Sequence, residues 1–392
     1  MLHNKNSFNT FQLYNFELFT PDLNSNVTNL IMELEYLRKK LLRGTTHPKI
    51  FFQMKNIFQM LESLGSSRIE GNNTTVAEYI ETKIEGNKLK NEKDIEINNL
   101  ENAIDFIDKN ISNTKIDRGF ISELHKQVVK NLSAPPRGEG SIKPGKYRTK
   151  NIKIASSKHT PPDYTQIDNY MPDFFNFINK NHSSHYDLLK TAIAHHRFTW
   201  IHPFDNGNGR TVRLITYAML LKYGFNISIH GILLVNPSAI FCINRDKYYR
   251  ALSWADTGRK YGTLKWCEYV ISGLKKEIEK IDKLLDYEYL KNKILLPAIS
   301  NSLERKIITN LESKILKIAI EKQTFKSSHI EPLMPNKVYT QRSLILRKLK
   351  EKKMIVPIKG KSRVYCIKFI NNYLLRGVIG ALNKEGFVFV ND

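Results

Sequence analysis

Residues 202–213 read His-Pro-Phe-Asp-Asn-Gly-Asn-Gly-Arg-Thr-Val-Arg, and this stretch decides both the fold and the chemistry expected of the chain. Gly207 and Gly209 allow positive φ angles and a close approach of the backbone to a ligand. Asn208 tolerates the same left-handed region and also supplies an amide. The apolar run that follows predicts a helix over 209–223, so its unpaired N–H groups and positive dipole end face the turn. The turn therefore predicts an anion pocket.

Two guanidiniums and one imidazole flank this turn. Arg210 and Arg213 lie three residues apart on one helix face, so both can reach successive phosphates of one chain. His202 precedes the turn, where a general base would take a proton from an incoming hydroxyl. We expect an enzyme that holds a polyphosphate and removes a proton beside it. The alternative is an Asn-Gly turn between two helices with a histidine that only packs.

The string His-Pro-Phe-x-x-Gly-Asn-Gly-Arg-x-x-Arg resembles the signature of Fic (Fido-domain) proteins, most of which transfer AMP from ATP to a protein hydroxyl. The resemblance covers residues 60–260. It implies that His202 activates the target hydroxyl, with ATP as the substrate. It also implies that the α- and β-phosphates contact Gly207, Asn208, Gly209 and Arg210.

The resemblance departs from the family pattern at the expected metal ligand. Active members usually carry Asp or Glu just before Gly-Asn-Gly, and that carboxylate binds the Mg²⁺ that bridges the α- and β-phosphates. Here Asn206 occupies this position and Asp205 precedes it. An amide oxygen can bind Mg²⁺ but brings no charge, and hard cations prefer carboxylates. Asn206 and Asp205 are the expected ligands of Mg²⁺ or Mn²⁺. With these ligands, we expect weak metal binding or slow chemistry.

A second string, Ser-Ser-Arg-Ile-Glu-Gly-Asn at 66–72, resembles the inhibitory motif of Fic proteins, with Ser66, Glu70 and Gly71 at the matching places. In those proteins the Glu pairs with the second motif Arg and occupies space that the γ-phosphate needs. Glu70 would then pair with Arg213, a strong contact in a partly desolvated cleft. The alternative is a helix that ends at Gly71 with a surface glutamate.

Two further segments are assigned by pattern and resemblance. Residues 151–154 alternate polar and apolar after a Pro-Gly pair, which predicts a short strand or hairpin. In Fic proteins a hairpin here, the flap, pairs its main chain with the target protein, so Ile152–Ser157 is the expected target contact. Downstream, Asn244 and Tyr249 are the expected adenine contacts while Tyr248 packs inward; two core tyrosines are the alternative.

The predicted fold class is mainly α, a Fic-type helical core with a short β-hairpin flap, followed by a C-terminal winged helix-turn-helix-like module. Few strand patterns precede residue 350. Periodic apolar segments predict helices over 28–43, 49–63, 93–112, 117–131, 165–180, 186–200, 209–223 and 261–292. The expected domains are an N-terminal helical region over 1–112, a catalytic core over 113–260, a connecting helix over 261–300 and the C-terminal module over 301–392.

The last hundred residues predict a helix over 311–320, a turn-rich piece over 325–334, a basic helix over 338–352 and a hairpin from 354–358 and 363–368. The second helix is rich in Arg342, Arg347, Lys348 and Lys350, and Lys359, Lys361 and Arg363 lie at the predicted wing tip. These positive side chains could contact the phosphates of DNA. A packing or dimerisation module is favoured over DNA binding, because the excess positive charge extends over the whole chain.

The composition indicates the cellular compartment that we expect for the protein. The chain has 392 residues, a formal net charge of +23 and three isolated cysteines. An odd number of isolated cysteines predicts no disulfide framework and a reducing compartment. No apolar run has the roughly 20 residues needed to span a bilayer, and no signal-peptide pattern is present, so we expect a cytoplasmic protein without membrane contact.

Two functions follow from the sequence. The first is a protein adenylyltransferase that modifies a Tyr, Thr or Ser hydroxyl, is restrained by Glu70 and has a related reaction that removes AMP. The second is a nucleotide-sensing regulator with little activity, whose C-terminal module binds DNA or a protein partner. A homodimer is a further expected assembly.

Overall fold

A computed structural model describes residues 16–39, 45–85, 91–154, 157, 159–225, 237–336, 338–358 and 361–388. The fold is mainly α, as predicted. The chain divides into two compact units. The first contains residues 1–37, 105–223 and 244–273, and the second contains residues 38–104, 224–243 and 274–392.

The helices of the described residues are α1 Asn26–Lys39, α2 Pro48–Ile69, α3 Val76–Glu85, α4 Glu92–Asn110, α5 Arg118–Val128, α6 Ile167–Asn179, α7 Asp187–Ile201, α8 Asn208–Lys222, α9 Pro237–Cys242, α10 Arg245–Ala255, α11 Lys260–Leu285, α12 Tyr287–Tyr289, α13 Leu296–Glu304, α14 Asn310–Glu321, α15 Tyr339–Glu351 and α16 Leu374–Lys384. The strands are β1 Phe325–Lys326, β2 Ile355–Ile358 and β3 Lys361–Ile367. A π-helical stretch, Leu290–Leu295, joins α12 to α13.

The first unit is built on the helices α5 to α8. Helix α5 begins where the Asp117 carboxylate accepts a hydrogen bond from the backbone N–H of Phe120 (2.9 Å), which satisfies one of the open N–H groups of the first turn. Its buried side chains recur at helical spacing and face α8. Helix α7 packs between α6 and α8 and is buried along nearly its whole length. This arrangement fixes the end of α7 and the start of α8, where the signature motif lies.

The second unit has its core in α2 and the C-terminal residues. The Gln53 side chain donates to the carbonyl oxygen of Ile367 (2.9 Å) and accepts from the N–H of Phe369 (2.8 Å). Helix α14 begins with a capping box between Thr309 and Glu312. Helix α16 lies on α13 at Gly377, where a Cβ atom would come 2.8 Å from a carbonyl oxygen of α13.

The three strands form one antiparallel sheet in the order β1-β3-β2, with Ile355 opposite Ile367. The hairpin of β2 and β3 follows α14 and α15, so the helix, helix and hairpin order expected of the tail is present. Its assignment as a winged helix stays a prediction. Lys359 of the expected wing tip lies outside the described residues.

The strand or hairpin expected at 151–154 is not formed among the described residues, and the sheet lies elsewhere. The local polar groups make other contacts. The Asn151 side chain donates to Asp163 (2.6 Å) and accepts from the N–H of Tyr164 (2.9 Å), while Arg148 donates to the carbonyl oxygen of Lys150 (3.0 Å). These side-chain bonds replace a strand ladder. Ala155 and Ser156, in the rest of the expected flap, lie outside the described residues.

In the part of the chain that the structure describes, no helix is both long enough and apolar enough to cross a membrane. Cys242, Cys267 and Cys366 are free thiols. Among the same residues, no cluster of three or more His, Cys, Asp and Glu side chains has the geometry of a metal site.

Candidate active site

His202 ends helix α7 in a left-handed conformation, with φ 51° and ψ 61°. Non-glycine residues pay for this conformation with strain, and it is found where surrounding contacts enforce it. The Nδ1 atom of His202 lies 3.1 Å from the carbonyl oxygen of Thr199. Because a carbonyl oxygen only accepts, Nδ1 carries the proton, and the basic lone pair of the neutral ring is on Nε2. The half-buried ring is therefore held in the tautomer that a general base needs.

Arg148 holds the backbone of His202. Its Nε donates to the His202 carbonyl oxygen (2.9 Å), and its Nη2 donates to the carbonyl oxygen of Pro162 (2.5 Å). Its own N–H donates to the carbonyl oxygen of Pro203 (2.8 Å). Burial lowers the pKa of the guanidinium from its ordinary value, and Asp163 counters this. The planar fork of donors suits this position, since one side chain reaches several carbonyls.

The turn between α7 and α8 is closed by the side chain of Asn208. The amide accepts from the N–H of Phe204 (2.9 Å) and donates to the carbonyl oxygen of the same residue (2.9 Å). Asn208 is buried, and its amide holds the loop. Gly207 has φ 75°, and a Cβ atom there would lie 3.1 Å from the Val129 side chain. Glycine is required here both for the conformation and for the space.

His125 of α5 contacts this turn. Its Nε2 donates to the carbonyl oxygen of Asn206 (2.9 Å), and its Nδ1 accepts from the N–H of Gly145 (2.8 Å). The ring stacks on Phe204 with 3.8 Å between ring centroids. Burial lowers the pKa of His125 to about 4, although the Asn206 carbonyl and Asp205 oppose the change. The neutral ring thus joins the loop at Asn206 to the loop at Gly145, and both of its nitrogens are hydrogen-bonded.

Arg210 and Arg213 are both buried to 1% exposure on α8. A buried cation is stable only among anions or hydrogen-bond acceptors. Arg210 Nη2 donates to the backbone carbonyl of Glu139 (2.7 Å) and contacts the Glu139 carboxylate (3.2 Å). Arg213 lies close enough to His195 for its charge to lower the pKa of that ring, after the larger effect of burial. Two positive charges are therefore fixed behind the start of α8.

The two residues expected to bind metal are engaged in the protein. The Asp205 carboxylate accepts from the Ser141 hydroxyl (2.5 Å) and from the N–H of Ile142 (2.8 Å). The amide of Asn206 accepts from the N–H of Gly207 (2.8 Å) and donates to the Gly140 carbonyl (3.2 Å). Both side chains therefore organise the loops around residues 140–142 and 205–207.

Comparison with known proteins shows what this region is similar to. Residues 115–220 match the model of the Fic/DOC family. The chain is thus similar to Fic/DOC proteins over this range. It is 28% identical over 195 residues to a protein named protein adenylyltransferase Fic from Drosophila virilis, and 29% identical over 196 residues to the Drosophila melanogaster protein of that name. Each match covers 48% of this chain and 36% of the relative, so the chain spans about a third of the length of these curated relatives.

The fold is also similar to that of solved Fic structures. A Fic family protein from Desulfovibrio desulfuricans G20 has a TM-score of 0.54 and 17% identity, covering 90% of this chain and 97% of that one. A Fic domain-containing signaling protein from Bacteroides thetaiotaomicron has a TM-score of 0.50 and 18% identity, covering 67% of this chain and 98% of that one. At these identities the similarity concerns the fold.

Three further residues, Tyr248, His195 and His196, lie in the interior of the first unit. Tyr248 is buried and donates its hydroxyl proton to Nε2 of His195 (2.9 Å), whose Nδ1 donates to Thr216. His196 is a buried core histidine and donates from Nε2 to Asp256 (2.9 Å). Burial lowers the pKa of His196 to about 4, against its bond to Asp256.

The two expected adenine contacts differ in their surroundings. Tyr249 is 43% exposed, and the Arg245 guanidinium lies 5.5 Å from the centre of its ring. The Asn244 side chain accepts from the N–H of Lys247 (2.8 Å) and so caps α10. Tyr249 therefore offers a ring face for stacking, whereas the Asn244 carbonyl oxygen is used by the helix.

The inhibitory residues belong to the second unit. Ser66 is buried in α2, and Glu70 follows that helix half-buried, with its N–H bonded to the Ser67 carbonyl (3.0 Å). Gly71 has φ 108°, and open space surrounds the position of a Cβ atom. This is the glycine ending expected of a helix. The pairing of Glu70 with Arg213 stays a prediction.

The basic residues of the tail are partly neutralised. Arg342 pairs with Glu331 (2.8 Å) with 13% of its side chain exposed, and Arg347 contacts Glu351 (3.7 Å). Lys350 lies over the ring of Tyr365 (5.8 Å). Surface ion pairs of this kind reduce the charge that α15 offers to a phosphate backbone.

Sequence reasoning did not assign His125, Arg148 and Glu139 to the site. His125 is one residue of an apolar helix face, and nothing in its neighbours distinguishes it from a core histidine. Arg148 follows a Pro-Gly turn, which predicts a loop and no contact. Their roles arise only when α5 and the two loops meet residues 202–210.

Proposed function

We propose that this chain is a protein adenylyltransferase, which transfers AMP from ATP to a Tyr, Thr or Ser hydroxyl of a target protein. The observation that carries this proposal is the fixed imidazole of His202 beside the start of α8. Thr199 holds the proton of the ring on Nδ1, and Arg148 holds the backbone of the same residue. A base with its lone pair on Nε2 thus precedes a helix start with two buried guanidiniums.

In the proposed reaction, the target hydroxyl gives its proton to Nε2 of His202 as its oxygen attacks the α-phosphorus of ATP. The new bond joins the hydroxyl oxygen to the α-phosphorus. The bond from that phosphorus to the bridging oxygen of the β-phosphate breaks, and pyrophosphate leaves. Positioning and charge stabilisation supply most of the acceleration in phosphate-transfer chemistry of this kind. General-base catalysis adds about 10²-fold to 10⁴-fold.

The start of α8 is the proposed phosphate site. The first N–H groups of a helix have no partners within the helix and point along its axis, where they bind anions. Gly207, Asn208 and Gly209 would contribute main-chain groups, and Arg210 and Arg213 would offset the charge of the leaving pyrophosphate. The side chain of Asn208 is used by the turn and is assigned no ligand contact.

ATP is normally bound with a divalent cation, which would neutralise part of the phosphate charge. The residues expected from the sequence do not fit this ion. Asp205 accepts two hydrogen bonds from the loop at Ser141 and Ile142, and Asn206 brings no charge. No step of the proposed reaction is assigned to a metal at these two residues.

We propose further that Glu70 restrains the enzyme by pairing with Arg213 in the space of the γ-phosphate. An arginine–carboxylate pair in a partly desolvated cleft is strong. Each ~1.4 kcal/mol by which it disfavours the productive pose of ATP lowers the rate tenfold. The same site, with Glu70 orienting water, is the proposed route for removing AMP. The target segment would contact Ile152–Ser157. Dimer formation and DNA binding by the tail are secondary proposals that rest on the sequence pattern.

The test is incubation of the full chain with ATP labelled on the α-phosphate and Mg²⁺ or Mn²⁺. Wild type, His202→Asn and Glu70→Gly are compared for label transferred to protein. Asparagine is chosen at 202 because it tolerates positive φ, so the turn is preserved. We expect Glu70→Gly to transfer more label than wild type, and His202→Asn to lose at least about a hundredfold.

The matched control is His185→Asn, since His185 is an exposed histidine just before α7. It should transfer label like wild type. Equal transfer by wild type and His202→Asn would refute the role of His202. Equal transfer by wild type and Glu70→Gly, with nucleotide binding intact, would refute the restraint.

A nucleotide-sensing regulator is the second candidate, and the engaged side chains of Asp205 and Asn206 favour it. Hard cations prefer carboxylate ligands, so a site that lacks one would hold the cation of ATP weakly and would support little chemistry. Tight ATP binding by the Glu70→Gly protein without any label transfer would support this candidate over the enzyme.

A further inference from the structure

Glu139 brings a carboxylate to the start of α8 from a loop that the sequence left unassigned. The main chain of this loop is held by several bonds. The Glu139 carbonyl accepts from Arg210 (2.7 Å), and the N–H of Gly140 donates to the Ser133 carbonyl (2.7 Å). A Cβ atom on Gly140 would lie 2.2 Å from the Leu132 carbonyl oxygen, so the loop fits closely. The position of residue 139 is therefore set by the fold.

The carboxylate itself contacts the two motif residues that matter for phosphate and metal. Its Oε2 accepts from Arg210 Nη2 (3.2 Å) and from the Asn206 amide (3.3 Å). The side chain is 47% exposed, so the carboxylate is reached by solvent. Among the residues that the structure describes, Oε1 has no hydrogen-bond partner. One carboxylate oxygen is thus held by the protein, and the side chain keeps access to solvent.

This placement creates an electrostatic conflict for a polyphosphate. A phosphate bound by Arg210 would lie next to the Glu139 carboxylate, and like charges a few ångströms apart repel strongly in a partly buried site. A divalent cation between them turns the repulsion into attraction. Mg²⁺ is commonly bound by one or two carboxylates together with substrate phosphates. Asp205 does not serve this purpose, because Ser141 and Ile142 hold it.

We infer that Glu139 is the carboxylate ligand of the divalent cation that accompanies the nucleotide, in place of the residue at 206. This inference rests on the proposed nucleotide site. Tight binding of the nucleotide then requires the cation. Without the cation, Glu139 competes with phosphate for Arg210. With the cation bound, Glu139 joins the phosphates to the protein.

The experiment measures the affinity of the full-length protein for α,β-methylene ATP, which cannot transfer AMP, by calorimetry with Mg²⁺ or with a chelator. We expect Mg²⁺ to strengthen binding to wild type by about tenfold or more. Glu139→Gln should bind more tightly than wild type in chelator and should gain less than about twofold from Mg²⁺. Glu139→Asp, which keeps the charge on a shorter side chain, should retain part of the effect of Mg²⁺.

Glu123→Gln is the charge-matched control, since Glu123 pairs with Lys126 on α5. It should respond to Mg²⁺ like wild type, and thermal unfolding shows whether each variant is folded. If Glu139→Gln changes the affinity by the same factor with and without Mg²⁺, or if wild type binds equally under both conditions, Glu139 is not the ligand and the nucleotide site stands. If neither protein binds the analogue at all, the proposed function fails as well.

Discussion

We expect the first unit to be sensitive to acid, because the buried ring of His125 is neutral. The ring donates from Nε2 to Asn206 and accepts at Nδ1 from Gly145, so a second proton breaks the contact with Gly145. Burial holds its pKa at about 4 in the folded protein, whereas an unfolded histidine has a pKa of about 6.5. Since the folded pKa is depressed, the stability from the neutral ring is fully present above pH ~6.5. It is lost as the pH falls towards about 4.

The size of the effect follows from the two pKa values. Each pKa unit corresponds to about 1.4 kcal/mol, so the full loss for this one histidine is about 3 kcal/mol. Between pH 7 and pH 5, where the folded ring stays mostly neutral and the unfolded one is protonated, the loss is about 2 kcal/mol. His196, whose pKa is also lowered to about 4, adds a similar loss to the wild-type protein.

The assay is urea unfolding followed by tryptophan fluorescence at pH 7 and pH 5. All three tryptophans, Trp200, Trp254 and Trp266, lie in the first unit, so the signal reports on the unit that contains His125. His125→Gln should be less stable than wild type at pH 7 but should lose about 2 kcal/mol less on acidification. The exposed His185→Gln serves as the control. An unchanged loss in His125→Gln would refute the reasoning.

Three other substitutions test particular contacts. Arg148→Lys removes the fork that holds His202, so label transfer should fall by about a hundredfold in kcat with little change in KM, as steady-state kinetics would show. Gly140→Ala places a Cβ atom 2.2 Å from a carbonyl oxygen and should destabilise the first unit by about 3 kcal/mol in the tryptophan assay. Gly377→Ala places a Cβ atom 2.8 Å from a carbonyl oxygen of α13 and should destabilise the second unit. Gly380→Ala meets open space and should stabilise α16 by about 1 kcal/mol. Hydrogen exchange of the α16 amides distinguishes the two outcomes.

Most of the helical fold could be predicted because apolar residues recur at helical spacing. The helix predicted over 209–223 is observed over Asn208–Lys222, and that predicted over 165–180 is Ile167–Asn179. Helix α16 was missed because Gly377 and Gly380 lower its intrinsic propensity. It forms where Gly377 lets the helix approach the backbone of α13, a contact between residues far apart in the sequence.

The site was predictable only in its local part. The motif located His202, Arg210 and the glycine turn, because their spacing along the chain is itself the signal. It also gave Asn208 as an expected nucleotide contact, without indicating that the amide of this residue closes the turn. The same motif gave no indication of Glu139, since the loop that carries this residue meets α8 only through tertiary structure.

The central claim is that the start of α8 binds the phosphates of ATP beside the His202 imidazole, and a crystal structure with α,β-methylene ATP and Mg²⁺ tests it most directly. The account predicts density for the phosphates at the main chain of Gly207–Gly209 and at Arg210, with the α-phosphorus facing Nε2 of His202. Density for the nucleotide at another place, or a different molecule bound at this helix start, would contradict it.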